Sequence, residues 1–143
     1  MGSSIRQKCV AKVLLFDDEG NVLVLIRNST HPNFPSHLDF PGGEVEPGEQ
    51  AVLAVIREVK EEADISLALG DVNLVYEKHI DDHLTYMLFE AHIKAPKPIV
   101  RLSWEHADSK WMSLDDLRSS PVPANADKYY LTVVDYLASL QKR

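Results

Sequence analysis

The sequence predicts an α/β (α+β) domain. Three observations carry this. Apolar strand-like runs lie on both sides of mid-chain, a strongly amphipathic helix pattern sits between them, and a second helix pattern closes the chain. At 143 residues the chain is most simply one domain, 1–143, with room for a proper core. Met1-Gly2-Ser3-Ser4 reads as native chain, as a disordered end or as an expression tag, and is set aside.

Residues 9–16 (CVAKVLLF) and 22–27 (VLVLIR) are rich in β-branched and aliphatic residues, and each reads as a strand. The turn Asp17-Asp18-Glu19-Gly20-Asn21 between them makes the pair a hairpin. Both strands are almost continuously apolar, so both faces are expected to be covered. Residues 28–37 hold two prolines and no periodicity, which marks a loop. Such a loop beside a buried strand is a usual place for substrate contacts, so His31, Asn33 and Phe34 are candidates by position. Residues 38–40 form a short strand running into Pro41-Gly42-Gly43.

Residues 50–63 are the clearest helix. Val52, Val55, Ile56, Val59 and Ala63 follow helical spacing and form its core face. Asp64 sits where glycine would end the helix better. Residues 72–78 and 84–94 read as two strands joined at Asp81-Asp82-His83. A short strand at 110–112, a helical turn at 114–117 capped by Ser113, and a helix at 126–140 complete the chain. Leu131, Val134, Leu137 and Leu140 form the face of that last helix. Trp111, Tyr129 and Tyr130 are read as packing residues, and His79 and His83 as solvated turn residues.

Composition narrows the function classes. Cys9 is the single cysteine, which excludes an intramolecular disulfide and a cysteine zinc cluster. The absence of long apolar runs or a leader pattern argues against a membrane and for a cytoplasmic protein. The net charge of −7 argues against duplex nucleic acid as a partner. It leaves room for a polyphosphate, because bound cations invert the local field.

The chemistry concentrates at residues 43–65. Glu58, Glu61 and Glu62 stand three and four apart and share a helix face, off the core stripe. Alone they could be a solvated acidic face. They could equally hold a hard divalent cation, which wants several carboxylate oxygens at once.

From Gly43 the pattern is five residues, Glu49, seven residues, then Arg57-Glu58-Val59-Lys60-Glu61-Glu62-Ala63-Asp64-Ile65. This resembles the Nudix box, with every charged position matched and Asp64 in place of the usual glycine. The resemblance implies the Nudix fold, a mixed β-sheet sandwiched between α-helices. It implies Mg2+- or Mn2+-dependent hydrolysis of a nucleoside diphosphate derivative. It implies Glu58, Glu61, Glu62 and the Gly43 carbonyl as metal ligands, with Arg57 pairing Glu49 to orient the carboxylates. Glu58, Glu61 or a glutamate outside the box would take the proton from water.

Three further segments resemble the MutT branch of the family. They are Leu38-Asp39-Phe40-Pro41-Gly42-Gly43, Glu105 followed after five residues by Trp111-Met112-Ser113-Leu114, and Pro123-Ala124-Asn125. By that resemblance Glu105 is a further metal ligand. Asn125 reads a purine edge, though it could instead cap the last helix. Arg27 contacts the substrate, and Phe40 meets a base or joins the core. Asn28 stands where the branch has a second arginine. The expected reaction is hydrolysis of a nucleoside triphosphate, an oxidised purine among the candidates, to a monophosphate and pyrophosphate by a monomer or homodimer. ADP-ribose, a nucleotide sugar or a dinucleoside polyphosphate is the alternative substrate. A silent nucleotide-binding module is the third reading.

Overall fold

The computed structural model describes residues 7–94 and 96–141. Residues 1–4 lie outside them. A seven-stranded mixed sheet is built around β1 (Lys8–Phe16). β1 runs parallel to β6 (Leu84–His92) over its whole length, from Lys8 opposite Leu84 to Phe16 opposite His92. β5 (Val72–Asp81) is antiparallel to β6 at one side of the sheet, and Asp81 Oδ1 accepts from the His83 N–H in the turn between them.

The expected hairpin is present at a single rung. The turn closes, with Gly20 at φ 81 and the Asp17 N–H donating to the Asn21 carbonyl. Beyond Phe16 opposite Val22, however, β1 and β2 (Val22–Arg27) part. The segment after the loop at 28–37 fills the fork. β3 (Leu38–Asp39) pairs with β2, and β4 (Gly42–Glu44) pairs with Val10–Lys12 of β1. Glycine permits this insertion. A Cβ on Gly42, whose φ is 134, would lie 2.3 Å from the Ala11 carbonyl oxygen. The other edge of β2 takes β7 (His106–Met112), which starts four residues before the expected strand. Its first half, His-Ala-Asp-Ser, is too polar for an apolar pattern to show.

Helix α1 (Ala51–Ala63) covers one face of the sheet. Val55 and Val59 share a core with Ala11, Val13, Leu15, Leu23 and Leu25. Full burial of each valine contributes roughly 1.5–3 kcal/mol of apolar transfer. Val52 and Ile56, expected on this face, are half-buried at its margin. The helix ends as its sequence allows. Asp64 adopts a left-handed conformation, φ 58 and ψ 39, and donates its N–H to the Lys60 carbonyl.

The opposite face packs on α2 (Leu114–Ser119) and α3 (Lys128–Gln141) through Leu14, Phe16, Val24, Leu117, Val133 and Leu137. Of the expected face of α3, Leu137 is buried and Val134 and Leu140 pack against the core, but Leu131 is exposed. Tyr129 and Tyr130, expected to pack, are inside with Val133. Tyrosine contacts fix this side of the helix. The Tyr129 hydroxyl donates to the Met87 carbonyl and accepts from the Lys12 N–H, and the Tyr130 ring stacks on Phe40.

Candidate active site

Arg57 is the hub of the box. Its Nε and one terminal nitrogen donate to the two oxygens of Glu49 at 2.9 and 3.0 Å, a bidentate pair. Its other terminal nitrogen reaches Glu58 at 3.0 Å and Glu61 at 3.4 Å. Glu49 is held below the usual carboxylate range by its bonds to Arg57, and the guanidinium is raised in return, chiefly by Glu49. Three carboxylates thus share one cation, which leaves the cluster negative.

The three box glutamates do not form one solvated face. Glu62 borders the core stripe and is 4% exposed, whereas the Glu61 side chain is 56% exposed. Burial pushes the Glu62 carboxyl up to about 9, with the charges of Asp39 and Glu58 adding to it. The Gly42 N–H, donating to Glu62 at 2.8 Å, and the charge of Lys12 oppose that rise. Glu58 is raised too, by burial first and then by Glu61 and Glu105, against the pull of Arg57. Gly43 makes room for it. A Cβ there would lie 2.9 Å from the Glu58 carboxyl carbon.

A cleft of about 440 Å³ opens beside this wall. Its lining includes Gly43, Glu44, Glu62 and Glu105, together with Asn33, Phe34, Tyr86 and Tyr129. Glu105, just before β7, comes to the cleft because its carbonyl accepts from the Asn28 N–H at 2.8 Å. Its carboxylate lies 3.6 Å from His31 Nε2. Phe34 and Ser36 have positive φ, 50 and 65, so the loop at 28–37 is held in a conformation that ordinary side chains avoid. Phe34 is braced by the Arg27 guanidinium, 5.5 Å from its ring centre, and by His37. A smaller pocket of about 140 Å³ adjoins at Asp127, between Leu38, Pro123 and Tyr130, and carries no box residue.

The floor of the cleft is a buried charge network centred on Asp39. Lys12 Nζ bonds Asp39 Oδ1, His106 Nε2 lies 2.9 Å from Oδ2, and Arg27 Nε lies 3.3 Å from Oδ2. Arg27 also bonds Asp127 at 2.8 Å and the Asn33 carbonyl at 3.2 Å. Burial opposes ionisation of Asp39, but Lys12, His106 and Arg27 overcome it and hold the carboxyl far below its usual range.

Sequence reasoning named neither Lys12, Asp39, His106 nor Asp127 as site residues. A signal existed for Lys12, a lone charge inside an apolar strand, since a buried lysine needs a partner. Two other candidates are placed elsewhere. Phe40 is 1% exposed and belongs to the core under α3, because its ring stacks on Tyr130 rather than facing the cleft. Asn125 is exposed and does not line the cleft. The cap that it could have supplied to α3 comes from Asp127, whose Oδ1 accepts from the Tyr129 N–H at 2.9 Å. Arg27 does line the cleft, yet two carboxylates already neutralise it.

The donor set fits a hard divalent cation. It offers carboxylate oxygens that range from buried at Glu62 to exposed at Glu61, mutually repelling and undercompensated, with no sulfur ligand among them. Among the described residues, the one acidic trio with ligand atoms within 4.8 Å of each other lies elsewhere, at Asp17, Asp18 and Glu19. Asp17 is already occupied there by the N–H groups of Glu19 and Asn21 and by Lys97 at 3.0 Å. The box carboxylates are spread further apart, with Arg57 bonded to two of them and Gly42 to the third.

Comparison with known proteins agrees with this architecture. The NUDIX domain family matches residues 6–133. The asymmetrical bis(5'-nucleosyl)-tetraphosphatase of Caenorhabditis elegans is 35% identical over 109 residues, covering 68% of this chain and 72% of that protein. The 8-oxo-dGTP diphosphatase of Escherichia coli K12 is 29% identical over 120 residues, covering 82% and 89%. The crystal structure of a MutT protein from Methanosarcina mazei Go1 superposes with a TM-score of 0.75 at 23% identity, covering 99% and 100%. A sheet between helices, with an acidic helix beside a cleft, makes this a MutT-like α/β protein. The chain belongs to the Nudix hydrolase family.

Proposed function

We propose that the chain is a divalent-metal-dependent pyrophosphohydrolase of nucleoside triphosphates that releases a nucleoside monophosphate and pyrophosphate. One observation carries this reading. Gly43, Glu62 and Glu105 line a cleft, Glu58 packs on Gly43, and the aromatic residues Phe34, Tyr86 and Tyr129 line the same cleft. The phosphates belong against the acidic wall, and the base against Asn33, Phe34 and Tyr86.

Hydrolysis forms a bond from a water oxygen to a phosphorus of the α–β bridge and breaks the bridging P–O bond. The bridging oxygen departs with pyrophosphate when the α-phosphorus is attacked and with the monophosphate when the β-phosphorus is, and the water proton passes to Glu58, Glu61 or Glu105. Mg2+ or Mn2+, held by Glu58, Glu61, Glu62 and Glu105 with the Gly43 carbonyl, supplies charge neutralisation and a more acidic water. Arg57 acts on this wall indirectly. It holds Glu49, Glu58 and Glu61 in fixed positions.

A dinucleoside polyphosphate is the second reading, favoured by the 35% identity to a bis(5'-nucleosyl)-tetraphosphatase. The test is a screen of deoxynucleoside triphosphates, 8-oxo-dGTP, ADP-ribose and diadenosine tetraphosphate with Mg2+ or Mn2+, read by product analysis. Release of pyrophosphate from a triphosphate is expected. Absence of turnover with every triphosphate would overturn the first reading. Calorimetric titration with Mg2+ separates an enzyme from a silent nucleotide-binding module, which would bind the ion weakly or not at all.

A further inference from the structure

We propose that Lys12 determines base specificity by donating from its ammonium to the edge of the substrate base, so that the cleft takes a base with an oxo group at that edge and rejects one with an amino group. The inference rests on the pyrophosphohydrolase reading and narrows its substrate class.

Lys12 stands in β1 between Ala11 and Val13, both fully buried, and is itself only 7% exposed. What surface it keeps belongs to the cleft, which it lines together with Tyr86 and Tyr129. The three side chains are contiguous. The Tyr86 and Tyr129 rings have centroids 4.8 Å apart, and Lys12 Nζ lies 5.5 Å from the centre of the Tyr129 ring. The lysine is also fixed in place. Its N–H donates to the Tyr129 hydroxyl at 3.2 Å, and its Nζ bonds Asp39. A base laid against these tyrosines brings its edge to the ammonium.

Hydrogen-bond counting decides what that edge must offer. An ammonium has three N–H donors and no acceptor. Among the described residues, Asp39 Oδ1 is the one acceptor bonded to Lys12 Nζ. Nearly buried donors without partners are costly, and an acceptor arriving in the cleft satisfies them. A phosphate oxygen suits them less than a neutral group does. The charges of Lys12 and Arg27 are already met by Asp39 and Asp127, so the floor has no surplus positive charge for a phosphate. What remains is donor capacity. The oxo group and N7 of guanine or hypoxanthine are both acceptors, whereas the amino group of adenine sets a donor against a donor. An 8-oxopurine carries hydrogen on N7 and keeps only its 6-oxo group for this contact, so the rule is not one for oxidised bases.

The test compares inosine triphosphate with ATP, which carries an amino group where inosine carries the oxo group. The wild-type kcat/KM for inosine triphosphate should exceed that for ATP by about tenfold or more, the range for one correctly paired base edge. Lys12→Gln replaces a donor-only head by an amide that both donates and accepts, while Asp39 keeps Arg27 and His106. In that variant the preference should fall by about tenfold, chiefly through KM, and Lys12→Arg, again donor-only, should keep it. Equal losses with both nucleotides would make Lys12 a phosphate contact or a purely structural residue and overturn the proposal. A calorimetric comparison of inosine monophosphate with AMP on the wild-type protein needs neither turnover nor a folded variant. If neither triphosphate is hydrolysed but inosine monophosphate binds more tightly, the enzymatic reading fails and the base reader stands. Equal binding of the two monophosphates overturns the base reader.

Discussion

Two charge clusters meet at the cleft, and they are built on opposite rules. In the Asp39 cluster the charges match. Lys12 and Arg27 face Asp39 and Asp127, and the arrangement is buried apart from the partly open Asp127. In the Arg57 cluster they do not. One guanidinium serves Glu49, Glu58 and Glu61, and Glu62 stands beside them nearly buried with a backbone N–H for company. A matched buried network fixes geometry, since removing one member leaves another charge stranded. An unmatched one stores repulsion that a cation can relieve. The difference teaches that scaffold and chemistry can use the same residue types and be told apart by charge balance.

The sharpest way to break the comparison is to unbalance the matched cluster. Asp39→Ala strands Lys12, leaves Arg27 with Asp127 as its single carboxylate and His106 Nε2 without its partner. Its expected cost is about 3–5 kcal/mol of folding stability, read by urea denaturation. Should Asp39→Ala leave the midpoint unchanged, the matched cluster would not be structural. In the unmatched cluster the same kind of change should spare the fold. Glu58→Gln and Glu61→Gln should lower kcat by roughly 10²–10³-fold, the range for losing one electrostatic element of a preorganised site. Their melting temperatures should stay near wild type, because each removes a repelling charge. A folded Glu61→Gln protein with wild-type turnover would remove Glu61 from the ligand set.

The unmatched cluster also predicts a pH signature. The Glu62 carboxyl lies at about 9 in the folded chain against an ordinary 4.5. The folded state therefore binds more protons than the unfolded state between those values. Stability of the metal-free protein is fullest below pH 4.5 on this account and falls as pH rises towards 9. Glu62→Gln should flatten that slope, and saturating Mg2+ should do so by favouring the ionised carboxyl. Thermal melts across that range in chelator and in Mg2+ check both; a metal-free slope unchanged by Glu62→Gln would assign the effect to another group.

The two clusters were unequally legible in the sequence. The strands, the box helix and the presence of the last helix follow from local patterns, so 9–16, 22–27 and 50–63 fall within a residue of the observed elements. Arg57, Glu58, Glu61 and Glu62 sit on one helix at fixed spacing, with Gly43 and Glu49 just before it in the chain, so their neighbourhood is a local property too. The Asp39 cluster joins residues 12, 27, 39, 106 and 127 from four strands and a helix cap, and no local spacing announces it. The fork between β1 and β2 was hidden for the same reason. A hairpin pattern shows where a turn is, whereas the strand inserted beside it comes from the glycines at 42 and 43. On α3 only Leu131 of the expected face is exposed, because Tyr129, whose hydroxyl makes two hydrogen bonds, turns its own side of the helix inward.

A smaller change tests how tightly the acidic wall is packed. Gly43→Ala places a methyl 2.9 Å from the Glu58 carboxyl carbon, which is the far end of a flexible side chain. The side chain can yield, so the stability cost should be about 1 kcal/mol or less, at the low end for overpacking. The yielding moves a proposed ligand, so kcat should fall by about tenfold, as for a disturbed supporting contact in a metal site. A stability loss without a kcat loss would show that Glu58 does not need its observed position.

The smallest expected effect lies at the one departure from the box. Asp64 holds a left-handed conformation that glycine adopts without a Cβ penalty, and it is exposed. Its carboxylate accepts from Lys60 Nζ at 2.7 Å, which keeps it below the usual range. An exposed pair of this kind contributes little on a helix, less than glycine recovers at a left-handed cap. Asp64→Gly should therefore stabilise the chain slightly, seen as a small rise in urea midpoint at low salt. The gain should grow at high salt, where the Lys60 pair is screened while the backbone preference is not. Activity should be unchanged, because Asp64 touches none of the carboxylates at the cleft. A destabilised Asp64→Gly protein would mean that the surface pair outweighs the backbone, and the departure from the box would then be an adaptation of the helix end rather than a tolerated substitution.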